Sequence, residues 1–153
     1  MRPALRLLVG SIAWSLAIGA SCAVSLRARA WQNEEAQIAV VLLFGLGALL
    51  AYAPAILIAH RLGGRRAETR FAAMMVLLAG ATIAATAFLF GLRYRLYYAH
   101  WHEPALSIGW MFQFAFTMAA ACYHFLVLGL RMYLPLGLPA LLAFSLLQAR
   151  RRR

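Results

Sequence analysis

The chain has 153 residues, of which 65% are hydrophobic and only 12% charged, with a mean hydropathy of +0.77. A soluble domain carries roughly 45–50% apolar and about 25% charged residues, so composition excludes a soluble fold and places the chain in lipid. The net charge of +11 comes from 15 basic residues, all arginine. They flank apolar runs rather than forming a separate patch, which argues for a membrane protein and against nucleic-acid binding.

The first apolar run, Leu7–Leu26, contains no charge and is long enough to cross about 30 Å of hydrocarbon. Arg2 and Arg6 precede it as in a secretory signal, but the core is too long for one, so the run is expected to stay as a helix. The second run, Ile38–Ala59, is interrupted by Pro54, which frees the Leu50 carbonyl and predicts a kink. The third, Phe71–Leu92, is alanine-rich, with Thr82 and Thr86 as its hydroxyls.

The fourth run begins near Leu106 and reaches Leu130; a further apolar piece, Met132–Leu147, contains Pro135, Gly137 and Pro139. From Leu106 to Leu147 a continuous helix would measure about 63 Å, twice a bilayer core. The expected arrangement is therefore an all-α polytopic bundle in one domain. It has four spans, at about 7–26, 38–59, 71–92 and 106–130. The tail at 132–147 is expected to form a half-helix or interfacial helix that returns to the cytoplasmic face.

Orientation follows from arginine placement. With the N-terminus inside, Arg2, Arg6, Arg61, Arg65, Arg66, Arg70, Arg131 and Arg150–Arg153 are cytoplasmic, and Arg27, Arg29, Arg93 and Arg95 are outside, 11 against 4. Arginine near a span resists translocation, so both termini are expected in the cytoplasm of a bacterial inner-membrane protein, with the basic segments on anionic headgroups. Trp31, Tyr94, Tyr97, Tyr98, Trp101 and Trp110 belong to the outer headgroup level.

Close packing in lipid relies on small residues. The first run has two ladders on nearly opposite sides, Ser11, Ser15, Gly19, Ala23 and Ala13, Ala17, Ser21, Ser25. Such a helix is expected to be sandwiched, between its own neighbours or against a partner. Gly47, Ala51, Ala55, Ala59 form a ladder in the second run, and Ala73, Leu77, Ala81, Ala85 in the third, with Gly80 and Ala84 beside them.

The polar residues of the fourth run share one face. On a wheel of about 100° per residue, Gln113, Thr117, His124 and Arg131 fall within about 40°. Polar groups are costly against lipid, so this stripe is expected to look into the bundle, as packing contacts or as a hydrated path. Arg131 is expected at the cytoplasmic headgroups. A second cluster, His100, His102 and Glu103, has donor types that suit zinc or copper but lacks a fourth ligand; the plainer expectation is an outer loop in which Glu103 pairs with Arg93 or Arg95.

No catalytic residue, cofactor site or metal site is expected. No acid lies within a span, and no GxSxG, HExxH or phosphate-cradling loop is present. His60 and His124 differ in expected depth by about 9 Å, which does not suit two axial haem ligands. Cys22 and Cys122 lie at different depths and are not expected to pair. The chain lacks the membrane carboxylate of small multidrug transporters and the paired cysteines of thiol oxidases. The leading expectation is a non-catalytic accessory or scaffold subunit, associated with other membrane subunits or with itself. A small-solute or ion transporter using the stripe is the alternative.

Overall fold

A computed structural model describes residues 3–30, 33–64 and 66–150. Arg2, Trp31, Arg65 and Arg151–Arg153, used above for orientation, lie outside the described residues. The described chain is helical almost throughout: α1 (Pro3–Ala28), α2 (Glu34–Leu62), α3 (Ala67–Tyr98), α4 (Ile108–His124) and α5 (Leu134–Arg150). Four helices are long and apolar enough to cross a membrane, namely Ala4–Ala28, Glu34–Leu62, Ala67–Trp101 and Ile108–Arg150.

Local signals set the helix starts. Asn33 caps α2, its Oδ1 accepting the Ala36 N–H at 3.0 Å, and Glu34 and Glu35 sit favourably at the positive end of the helix. Ser107 caps α4 by accepting the Trp110 N–H at 3.1 Å. Between α2 and α3, Gly64 takes φ +60°, and the Thr69 hydroxyl donates to the Gly63 and Arg66 carbonyls, closing the turn.

Four helical layers run in the order α1, α2, α3, α5, and α5 packs against both α3 and α1 to close the ring. The end where α1 and α3 begin and α2 and α5 finish is called basal here, and the opposite end apical. Two contacts fix the basal end: Arg70 Nη2 donates to the Ala149 carbonyl at 3.2 Å, and Gln148 Nε2 donates to the Tyr52 hydroxyl at 2.7 Å. Trp14, Ile18, Phe44, Tyr52, Met74 and Leu78 fill the centre.

The small-residue ladders explain the close approaches. Gly47, Ala51, Ala55 and Ala59 are all buried, and a Cβ on Gly47 would meet the Thr86 hydroxyl and, at 2.9 Å, its Cα. On α1, Ser15 donates to the Gly45 carbonyl of α2 at 2.8 Å, while Ser21 and Ser25 are buried on the other side. The double-sided helix is thus sandwiched within its own chain, between α2 and α5. On α3 the buried stripe is Met74, Leu78, Thr82, Thr86 and Gly91, one residue on from the expected ladder. Gly80 has open space around it.

The expected break after residue 130 is absent. Ile108–Arg150 is one helical rod of 43 residues, about 65 Å long, against about 39 Å for α1. A π turn at Phe125–Gly129 and a 3-10 turn at Leu130–Tyr133 join α4 to α5 without ending the helix. The tail is therefore no peripheral half-helix: Gly137, Leu141, Ser145 and Ala149 are buried in the bundle. The reason is a repair. Pro135 and the irregular turns disrupt the ordinary helical pairing at the join. Ser21 supplies the missing partners, donating to the Met132 carbonyl at 2.9 Å and accepting the Leu136 and Gly137 N–H groups at 3.2 Å each. Proline inside spanning helices is tolerated where a neighbour satisfies the freed backbone in this way.

Candidate functional site

The extra length of the rod is all at the apical end. Leu26 near the outer end of α1 and Val40 and Phe44 within the first third of α2 line one cleft with His124, Phe125 and Leu128 of the rod. Residues 108–124, about 25 Å of the rod, therefore lie apical of Leu26 on α1, while α2 itself continues apically past Val40 to Glu34. Over this stretch α4 packs on α3 and lacks any comparable contact with α1 or α2. Arg95 pins the hairpin: its guanidinium lies 5.4 Å from the Trp110 ring centre and 5.1 Å from that of Phe114. The expected pairing of Glu103 with Arg93 or Arg95 is not formed. Arg95 turns to the aromatic faces, and Glu103 lies instead against Gly109, its Cγ 3.2 Å from where a Cβ would stand.

Part of the polar stripe is occupied by the loop between α3 and α4. This loop carries a 3-10 turn, Ala99–Trp101, and Leu106 at φ 71°. It folds back along α4. Gln113 Oε1 accepts the Glu103 N–H at 2.8 Å, and the Thr117 hydroxyl lies 3.2 Å from His102 Nε2 while donating to the Gln113 carbonyl at 2.6 Å. Half of each expected group thus meets the other: His102 and Glu103 with Thr117 and Gln113. His100 goes elsewhere, stacking on Trp101 at 3.6 Å between ring centres. Among the described residues, no three His, Cys, Asp or Glu side chains converge as metal ligands.

His124 and Arg131 do not join Gln113 and Thr117 in one passage. Both are exposed, and the buried face of the rod runs Ala121, Phe125, Gly129 and Met132, one residue away. Those smaller or apolar side chains let α4 press against α3 and the π turn reach Phe44 of α2 through Phe125, which leaves the polar stripe to the side. Arg131 is also displaced from the expected basal level. Its neighbour Met132 binds Ser21, only about 10 Å from the apical end of α1.

His124 does line a cleft of about 380 Å³ at the apical end. Its floor is Leu26, Phe44, Phe125 and Met132, all buried; its upper wall is Phe90, Tyr94 and Tyr98 from α3. The rings form a connected set. Phe44 stacks on Phe125 at 6.2 Å, Phe125 meets Phe90 at 6.0 Å, Tyr94 meets Tyr98 at 4.9 Å, and Tyr94 meets His124 at 5.7 Å. Gly129 makes this possible, since a Cβ there would lie 2.7 Å from the Phe125 ring. Sequence reasoning placed the tyrosines at the headgroup level and His124 in the stripe. It missed their union, because the level at which α3 crosses the rod depends on the apical overhang. Cys22 is buried, Cys122 is exposed, and both are free.

No protein-family model, curated protein sequence or solved structure matches this chain.

Proposed function

We propose that the chain is a four-span protein of a bacterial inner membrane, basal end in the cytoplasm, acting as a non-catalytic accessory subunit that docks a partner membrane protein on its apical hairpin. The observation that carries the docking role is the apolar outer face of α4. Ile108, Met111, Phe112, Phe116 and Tyr123 are 60–77% exposed on a hairpin that stands clear of α1 and α2. Aromatic anchors dominate protein contact sites, and α4 exposes rings where the exposed large side chains of α1 and α2 are aliphatic. On α1, by contrast, the ladder residues Ser11, Ser21 and Ser25 are buried by the chain itself, and the exposed large side chains are all aliphatic.

Arginine placement supports the orientation. With Arg131 moved to the apical side the distribution becomes 10 against 5 rather than 11 against 4, still in favour of a cytoplasmic basal end. Arg131 would then extend its guanidinium to the outer headgroups. Anionic lipid is the expected neighbour of Arg6, Arg61, Arg66, Arg70 and Arg150 at the basal end.

A photo-crosslinking side chain at position 112 or 116, with position 142 on a flank of α5 as control, tests the docking role in cells. Discrete protein adducts from 112 and 116, with lipid adducts alone from 142, are expected. Lipid adducts alone from all three positions would overturn the docking role and leave the membrane topology standing.

A further inference from the structure

The apical cleft differs from an ordinary gap between helices in three respects. Its walls are aromatic, its polar groups lie on one side, and it is built around a π turn. Such turns in α-helices frequently mark functional sites, because the widened backbone displaces the side chains that follow. Here the turn carries Phe125 inward, beneath the ring of Phe90 and beside Phe44.

The polar side is formed by His124 and the tyrosine pair. The imidazole of His124 has no hydrogen-bond partner among the described residues and is held only by the rings of Tyr94 and Tyr123, each 5.7 Å away. Tyr94 and Tyr98 pack ring against ring at 4.9 Å on the wall of the cleft, and a phenol hydroxyl can both donate and accept. At about 380 Å³ the cleft falls in the range of small-molecule sites, where mostly apolar walls and a few polar groups fix a ligand's orientation.

The way in is lateral. Val40 and Phe90 are half-exposed and Leu128 is 42% exposed, so the rim between α2 and the rod is apolar. A ligand that arrives this way travels in the bilayer. An acyl chain would make no use of stacked ring faces or of an unpaired imidazole. A flat ring with an oxygen at its edge uses both, by offset stacking on Phe90 or Phe125 and by hydrogen bonding to His124 or Tyr94.

We propose that this cleft binds the headgroup of a lipid-borne aromatic or quinonoid ring bearing a carbonyl or hydroxyl oxygen. The inference rests on the membrane placement above but not on the docking role of the α4 face. Binding is reversible, and the ring's oxygen accepts from, or donates to, His124 and the Tyr94–Tyr98 pair.

The test is equilibrium binding of a radiolabelled decyl-substituted benzoquinone to the full chain in lipid nanodiscs. Saturable binding, displaced by unlabelled compound, is expected. His124→Leu and Tyr94→Phe should each weaken it roughly 3- to 10-fold, the worth of one hydrogen bond. Val40→Trp, which fills the rim, should abolish it, and Leu142→Trp on the opposite flank should leave it unchanged. Phe112→Ala with Phe116→Ala, which removes the docking face, should also leave it unchanged, so the two proposals fail separately. Non-saturable uptake that is equal in the parent and Val40→Trp would overturn the inference. So would a co-purified phospholipid at the cleft that the quinone does not displace.

Discussion

Two buried serines on facing helices carry opposite consequences. Ser21 uses its donor and acceptor capacity fully, holding one carbonyl and two N–H groups of the rod. Ser145 is equally buried, yet its hydroxyl has no partner. Removing a satisfied hydroxyl strands the groups it served, whereas removing an orphan relieves a desolvation cost. Ser21→Ala should therefore lower stability by about 1–2 kcal/mol, toward the upper end of hydrogen bonds measured within membranes. Ser145→Ala should be neutral or stabilising by up to about 1 kcal/mol. Unfolding by sodium dodecyl sulfate in mixed micelles separates them, and equal losses in both variants would refute the distinction. Trp14 offers a third case: its indole N–H donates to Thr82 Oγ1 at 3.0 Å, and Trp14→Phe should cost about 1 kcal/mol for the bond alone.

Helices α1 to α3 were legible in the sequence because a charge-free run of about 20 residues has few other solutions in lipid. The ladder on α2 was legible for a related reason: small residues at every fourth position mark a close approach wherever a partner exists. The rod was not legible. Pro135, Gly137 and Pro139 are the residues that end helices in water, and the repair that keeps this one continuous comes from Ser21, over a hundred residues away in sequence. The stripe failed for a different reason. A helical wheel shows which residues share a face but not what covers that face, and here a loop covers its apical half. Gly47 and Gly80 test the packing at this scale. Gly47→Val drives side-chain atoms into Thr86 and should destabilise by roughly 1–3 kcal/mol. Gly80→Val enters open space and should have little effect in the same assay. At the apical hairpin, Arg95→Ala should leave the bundle intact but speed amide exchange through residues 99–110, since the stacking on Trp110 and Phe114 is lost.

For the whole molecule the orientation is open to direct measurement. Reporter fusions after Arg70 and at the C-terminus should read cytoplasmic, and fusions at Ala30 and His102 should read outside. A C-terminal fusion that reads outside would be incompatible with α5 ending beside Arg70, as the Arg70–Ala149 contact requires. The same fusions locate Arg131: an engineered cysteine at that position should react with a reagent supplied from the outer side.

The closure of the ring by α5 also sets an order of assembly. The helices emerge during synthesis one after another, and α1 with α2 and α2 with α3 can pair as soon as each appears. The hydroxyl of Ser21 must wait for residues 132–137, the last quarter of the chain. Until then the side of α1 that carries Ser21 and Ser25 lacks its partner in α5. A nascent chain stalled near residue 130 would leave that serine face uncovered, with a donor and an acceptor that only the missing segment can satisfy.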